Sequence, residues 1–328
     1  MKKNFALLSA LFVMMSVLTG CASQNQTKTI TFADVGWDSI LFHNAVAGTV
    51  AETVFGYNWT EVSGSTPITH EAVKKGEIDV HMEVWTDNLP DYERDIESGA
   101  LQELGINFDD NTQGFYVPRY VIEGDPERNI EPMAPDLKTV ADLKDYGTLF
   151  KDPEHPSKGV IYGGIAGWEI TEIMHKKYLH YGLDESYNYL EPGTDAATSA
   201  VLVSAYDKGE PVVAYYWEPT WLLGKYDFVL LEDEPYDEAL YFDGKCMCPS
   251  VKVTVCASNA FYESDPEFCA FLSNYRTSSA LTSEALAYME ETGADYKTAA
   301  KWFLNEQRDL VETWLTAEQA EMLYETID

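Results

Sequence analysis

The sequence predicts an α/β protein of two similar lobes with an aromatic cleft between them. Three observations carry this reading. A strand-like apolar run ending in Gly-Trp-acid and passing straight into a helix-like segment occurs twice, at Val35-Gly36-Trp37-Asp38 and at Ala166-Gly167-Trp168-Glu169. The echo continues downstream: Lys75-Gly76-Glu77, leading to Trp85, is answered by Lys208-Gly209-Glu210, leading to Trp217. Trp37 and Trp85 stand 48 residues apart and Trp168 and Trp217 stand 49 apart, so the matches keep one offset to within a residue. Ordered repetition of this kind marks a duplicated structural unit.

The elements follow in order. Residues 1–21 read as a targeting segment: Lys2 and Lys3, then an apolar run too short for a confident membrane span, then Leu18-Thr19-Gly20-Cys21. That ending resembles a bacterial lipobox, which implies diacylation of Cys21 and attachment to the membrane through lipid alone. Residues 22–28 are Gln, Ser and Thr-rich and read as a tether. The folded part then alternates: strand 29–35, helix 39–55, strand 59–63, helix 68–75, strand 78–85, and a surface helix over 91–104. Gly76 stops the second helix in the usual way. Residues 114–122 read as a long strand crossing to the second lobe. After a stretch rich in Pro and charge, with a short helix at 140–146, the second unit repeats the pattern. It runs strand 160–164, helix 170–181, strand 187–190, helix 196–208 and strand 211–216, with a further strand at 228–232. Residues 250–257 have strand composition and return the chain to the first lobe. Three helical segments follow at 266–277, 282–292 and 296–314. Alternating strands and helices imply largely parallel sheets. The division is lobe 1 at 29–117 plus 256–328 and lobe 2 at 118–255, joined by a hinge of two strands that suits closure on a ligand.

Composition narrows the function. The chain has 328 residues, 45% of them hydrophobic, which is enough for two cores. Its formal net charge of −33 argues against nucleic acid and against an anionic membrane surface as partners of the protein body. No cofactor motif stands out. Four cysteines besides Cys21, namely Cys246, Cys248, Cys256 and Cys269, lead to an expectation of one or two disulfides outside the cytoplasm. Cys246-Met247-Cys248 looks like a soft-metal pair, but no CxxC repeat supports it and no metal site is assigned.

Ligands of α/β sheets sit beyond the C-terminal ends of strands, where Trp37, Trp85, Trp168 and Trp217 all fall. Trp221 is a fifth candidate, and Trp59, Trp302 and Trp314 fit core packing better. Several indole faces around one space attract a weakly hydrated cation such as a quaternary ammonium, each contact worth ~0.5–2 kcal/mol. The helix beginning at Glu169 and Ile170 offers free backbone N–H groups to an anionic group such as a carboxylate. Gly64-Ser65-Thr66 and Gly193-Thr194 offer hydroxyls and amides of the same kind.

The motifs Asp34-Val35-Gly36-Trp37-Asp38-Ser39, Glu83-Val84-Trp85, Gly167-Trp168-Glu169 and Tyr215-Tyr216-Trp217-Glu218-Pro219-Thr220-Trp221 resemble the substrate-binding proteins of ABC importers for glycine betaine, proline betaine and related osmoprotectants. The resemblance spans roughly residues 29–325 together with the lipobox. It implies a type II periplasmic-binding-protein fold, a Trp box for the trimethylammonium head, and backbone amides at Glu169 and Ile170 for the carboxylate. It further implies a non-enzymatic, extracytoplasmic lipoprotein that delivers its ligand to a membrane permease. The chain departs from the family in lacking a His a few residues after Trp85 or Trp217. His43 and His81 read as packed or surface residues. Asp38, Glu83, Asp87, Glu169 and Glu218 flank the tryptophans as hydrogen-bond partners or as a preference for a more cationic ligand. Two other readings compete. One is a secreted carbohydrate-active hydrolase using Glu83 and Glu218, which a retaining mechanism would hold ~5–5.5 Å apart. The other is a surface sensor or adhesin with no permease.

Overall fold

In a computed structural model that describes residues 27–327, the chain forms two five-stranded sheets, each flanked by helices. Cys21 and most of the tether lie outside the described residues. Among those residues no helix is long and apolar enough to cross a membrane.

The strands in chain order are β1 Thr29–Asp34, β2 Asn58–Ser63, β3 Val80–Trp85, β4 Gln102–Phe108, β5 Gln113–Pro118, β6 Gly159–Tyr162, β7 Tyr187–Leu190, β8 Ala214–Trp217, β9 Phe228–Leu230 and β10 Val253–Ala257. The first sheet has the order β2-β1-β3-β10-β4 and the second β7-β6-β8-β5-β9. The two orders are the same layout. Three parallel strands come first in each, then one antiparallel strand, then an edge strand. In each sheet the antiparallel member, β10 or β5, is the strand that arrives from the other lobe.

The repeated Gly-Trp-acid motif has a local cause. Gly36 and Gly167 take φ of +87° and +93°, a left-handed turn that a side chain resists. The turn leaves Trp37 and Trp168 extended at the N-cap positions of helices Asp38–Thr53 and Glu169–His180. Asp38 and Glu169 then open those helices, where a carboxylate meets the positive end of the dipole. Helix Asp38–Thr53 is buried along most of its length, with Ile40, Phe42, Val46 and Val50 fully covered. The C-terminal helices close over it, and Trp314 packs on Tyr275 at 4.6 Å between ring centres.

Several expectations change. The helix expected at 91–104 ends early. It spans Tyr92–Glu97, Gly99 breaks it at φ +69°, and Gln102–Phe108 becomes an edge strand along β10. The third C-terminal segment breaks at Gln307 into Tyr296–Glu306 and Arg308–Val311, and an unanticipated helix, Ala317–Ile327, follows. The strand expected at 114–122 stops at Pro118 and turns into the short helix Arg119–Glu123. The expected disulfides are absent. Cys246, Cys248, Cys256 and Cys269 are all free and buried. Burial pushes the Cys248 and Cys269 thiols up to about 12 and Cys256 to about 11, so they pack as small apolar groups rather than react.

The two crossings between sheets run side by side and are tied together. Asn111 donates to the Val251 carbonyl at 2.6 Å and accepts from the Val251 N–H at 2.9 Å, while Ser250 donates to the Asp109 carbonyl at 2.9 Å. Asn111 is fully buried. Replacing it with Ala strands two backbone groups, so Asn111→Ala should cost about 1–3 kcal/mol in a denaturant titration.

Candidate functional site

Trp37, Trp85, Trp168 and Trp217 meet at one cavity of ≈ 360 Å³, mouth included, together with Thr66, Asn88, Glu169, Ile170 and Tyr215. Trp85 and Trp217 end the central strands β3 and β8, while Trp37 and Trp168 cap the helices just described. The rings interlock at right angles. Trp168 meets Trp37 at 5.0 Å and 85°, and meets Trp217 at 4.9 Å and 80°. Tyr215 lies nearly parallel to Trp217, and Trp85 is backed by Phe108. The Trp168 indole donates to the Val35 carbonyl of the other lobe at 3.1 Å. All four indoles are at least nine-tenths buried.

The polar groups of the wall come from both lobes. Glu169 and Ile170 open their helix, so their N–H groups have no intrahelical acceptor. Thr66 opens helix Thr66–Lys75 from the first lobe. Asn88 is pinned: its Oδ1 accepts from the Tyr241 hydroxyl at 2.5 Å and from Gln113 at 3.3 Å. Its amide N–H2 group therefore points away from those two partners. Tyr215 is held by a hydrogen bond to Gln113 at 3.0 Å.

The six residues Trp37, Trp85, Trp168, Trp217, Glu169 and Ile170 are thus brought together, and Thr66 with them. Thr194 is elsewhere, capping its own helix on the Ala197 N–H. Trp221 borders a neighbouring crevice shared with Trp37, Trp217 and Asp195. Trp59 packs on Phe32 and Trp302 stacks on Tyr288, both outside the site. His43 and His81 are buried in lobe 1, and burial drops each to about 3, leaving them neutral. Sequence reasoning missed Asn88 and Tyr215 as wall residues. Tyr215 shares a strand face with Trp217 two residues on, a signal of period two that was available.

Glu83 and Glu218 do not form a hydrolytic pair. Neither lines the cavity: Glu83 is wholly buried, and Glu218 borders a different surface pocket and accepts from Thr112. Burial pushes Glu83 up to about 8, opposed by the Ser39 hydroxyl and by the indole N–H groups of Trp37 and Trp85, of which Ser39 and Trp85 are within hydrogen-bond geometry. Asp195 is pushed up to about 7 by burial and by Asp38 across the lobe junction, opposed by Ser199 and Tyr216.

Comparisons with known proteins bear on the family and the fold. Residues 28–306 match the family described as the substrate binding domain of the ABC-type glycine betaine transport system. An ABC-transporter choline-binding protein in complex with choline is similar, with a TM-score of 0.70 and 19% identity, over 92% of this chain and 98% of that one. The glycine betaine/L-proline-binding protein ProX of Borrelia burgdorferi gives 0.68 at 21% identity over 90% and 100% of the two chains. Lactococcal OpuAC, closed on glycine betaine, gives 0.68 at 17% identity over 88% and 99%. At such identities the likeness is one of fold, that of the type II periplasmic binding proteins.

A carboxyl raised on folding stabilises the protein below its unfolded value and loses that contribution as pH rises through the folded one. Asp195→Asn should therefore flatten the decline in unfolding free energy of the ligand-free protein between about pH 4 and 7. Denaturant midpoints of the two proteins across that range test it.

Proposed function

The chain belongs to the substrate-binding domains of ABC-type glycine betaine transport systems, and from that premise we propose that it holds a quaternary-ammonium compound, glycine betaine or a close relative, in the tryptophan box. As a member of a binding family it captures its ligand and converts nothing. The observation that carries the proposal is the meeting of four indoles from both lobes around one small space. A trimethylammonium head cannot donate hydrogen bonds and suits an aromatic cage. The carboxylate of such a ligand would meet the Glu169 and Ile170 amides, where helix N–H groups and dipole favour an anion. The Thr66 hydroxyl and the Asn88 amide border the same space and supply donors in place of the His that related importers use.

A ligand touching both lobes stabilises the closed form, because the open form lacks half of its contacts. The closed protein would then present the ligand to a membrane permease. Cys21, as the lipidated mature terminus, would keep the protein at the outer face of the cell membrane, with residues 22–28 as the tether.

Trp85→Ala and Trp217→Ala should each weaken binding of glycine betaine or its relatives at least tenfold, about 1.4 kcal/mol, by calorimetry. Unchanged affinity in both variants removes the box from the binding site. A thermal-shift screen of glycine betaine, proline betaine, choline and carnitine ranks the ligands, since whichever binds the folded form raises the melting temperature. In cells, Cys21→Ser should move the protein from the membrane fraction to the soluble one, and continued lipid labelling would rule out the anchor.

A further inference from the structure

Glu83 lies behind the box and has no part in the binding scheme above. Its side chain is completely buried. Oε1 accepts from the Ser39 hydroxyl at 2.9 Å and from the indole N–H of Trp85 at 3.1 Å. Oε2 is buried with no hydrogen-bond partner, and so is the indole N–H of Trp37, which also lies toward this carboxyl. Two cavity-lining indoles thus direct their N–H edges at one carboxyl while their rings border the ligand space. Among the described residues no Lys or Arg forms an ion pair with it.

We propose that Glu83 is the counter-charge of the tryptophan box: entry of a quaternary ammonium ionises it, and the proton leaves to solvent as the cation is captured. The inference rests on the ligand class proposed above. A carboxyl buried without a cation favours its neutral form, because its charge has nothing to replace the water it lost. A permanent positive charge placed beyond the two indoles reverses that balance. The ionised carboxylate then draws on the Trp37 and Trp85 N–H groups, adding electron density to the ring faces that meet the cation. The O–H bond of Glu83 breaks, its electrons stay on the carboxylate, and a buffer base takes the proton. A neutral head of the same shape gains nothing from this step, so Glu83 selects for charge where the ring walls select for shape.

The two histidines and the tyrosine packed against Glu83 do not change charge over the relevant range. His81 on the same strand and His43 on helix Asp38–Thr53 are neutral, held down at about 3 by burial. Tyr275, bonded to His43 at 2.7 Å, is driven far up by burial and by Glu83 itself. Glu83, at about 8, is mostly protonated at neutral pH in the empty site. Asp38 follows Trp37 and accepts from Tyr296. Glu169 at the cavity wall is raised by burial and by Glu172. Asp195, at about 7, borders the neighbouring crevice and titrates nearby, so it serves as the control.

The test is calorimetric titration of the protein with glycine betaine and with tetramethylammonium, which lacks a carboxylate, at pH 6, 7.5 and 9. Each pH is run in two buffers of different ionisation heat. The wild type should release close to one proton per ligand near neutral pH and bind both ligands at least tenfold more tightly at pH 9 than at pH 6. Glu83→Gln, nearly isosteric, should bind more weakly at pH 9, release no proton and lose the pH slope, whereas Asp195→Asn should keep the slope. A wild type that binds without proton release, or a slope that survives in Glu83→Gln or vanishes in Asp195→Asn, overturns the inference and leaves the ligand class standing. If no quaternary ammonium binds at all, the ligand class falls and this inference with it. Should Glu83→Gln fail to fold, the wild-type proton count decides alone.

Discussion

The indole of Trp168 bridges the two lobes at the cleft. It reaches from the second lobe to lie edge-on between Trp37 of the first lobe and Trp217 of its own, with its N–H on the Val35 carbonyl. Perpendicular rings pair the positive edge of one with the negative face of the next. The hydrophobic core therefore does not stop at the cleft. One continuous cluster runs from Val35, Trp37 and Trp85 through Trp168 and Trp217 into the second sheet. The surface proposed to bind a ligand is the same one that joins the lobes.

That arrangement follows from building the same unit twice. In each lobe a central strand ends in a Trp and a left-handed glycine delivers a second Trp to a helix start. The strands exchanged between lobes, β5 and β10, occupy equivalent places in the two sheets. Facing the units toward each other puts four tryptophans and two helix N-termini on one space. Asn111 locks the two crossings together, so bending between the lobes is confined to a narrow double connection.

The electrostatics divide by depth. The net charge of −33 is carried largely by solvated carboxylates, which water screens. Two of the buried ones behave differently. Glu83 and Asp195 are both raised toward neutrality, Glu83 behind the box and Asp195 at the neighbouring crevice.

Much of this was legible from the residues alone. Gly36 before Trp37 and Gly167 before Trp168 announce a turn because few other residues take that backbone. The periodicity of 29–85 and 160–217 announces alternating strands and helices. These signals are local: backbone sterics and spacing act within a few residues. What failed was long-range. Residues 102–108 became a strand because β10 offers them a ladder, and β10 lies some 150 residues away. The four thiols stayed free, with Cys246 and Cys248 buried in one packed cluster and Cys256 and Cys269 each in another. Asn88 joined the site because Tyr241 and Gln113 fix its orientation, and Glu83 was sealed from water by segments distant in sequence. The sequence by itself determined the duplicated units and the tryptophans at their ends. Only tertiary structure decided which carboxyls are dry, which amide faces the cavity and how the rings meet, because burial and orientation depend on partners that no local pattern specifies.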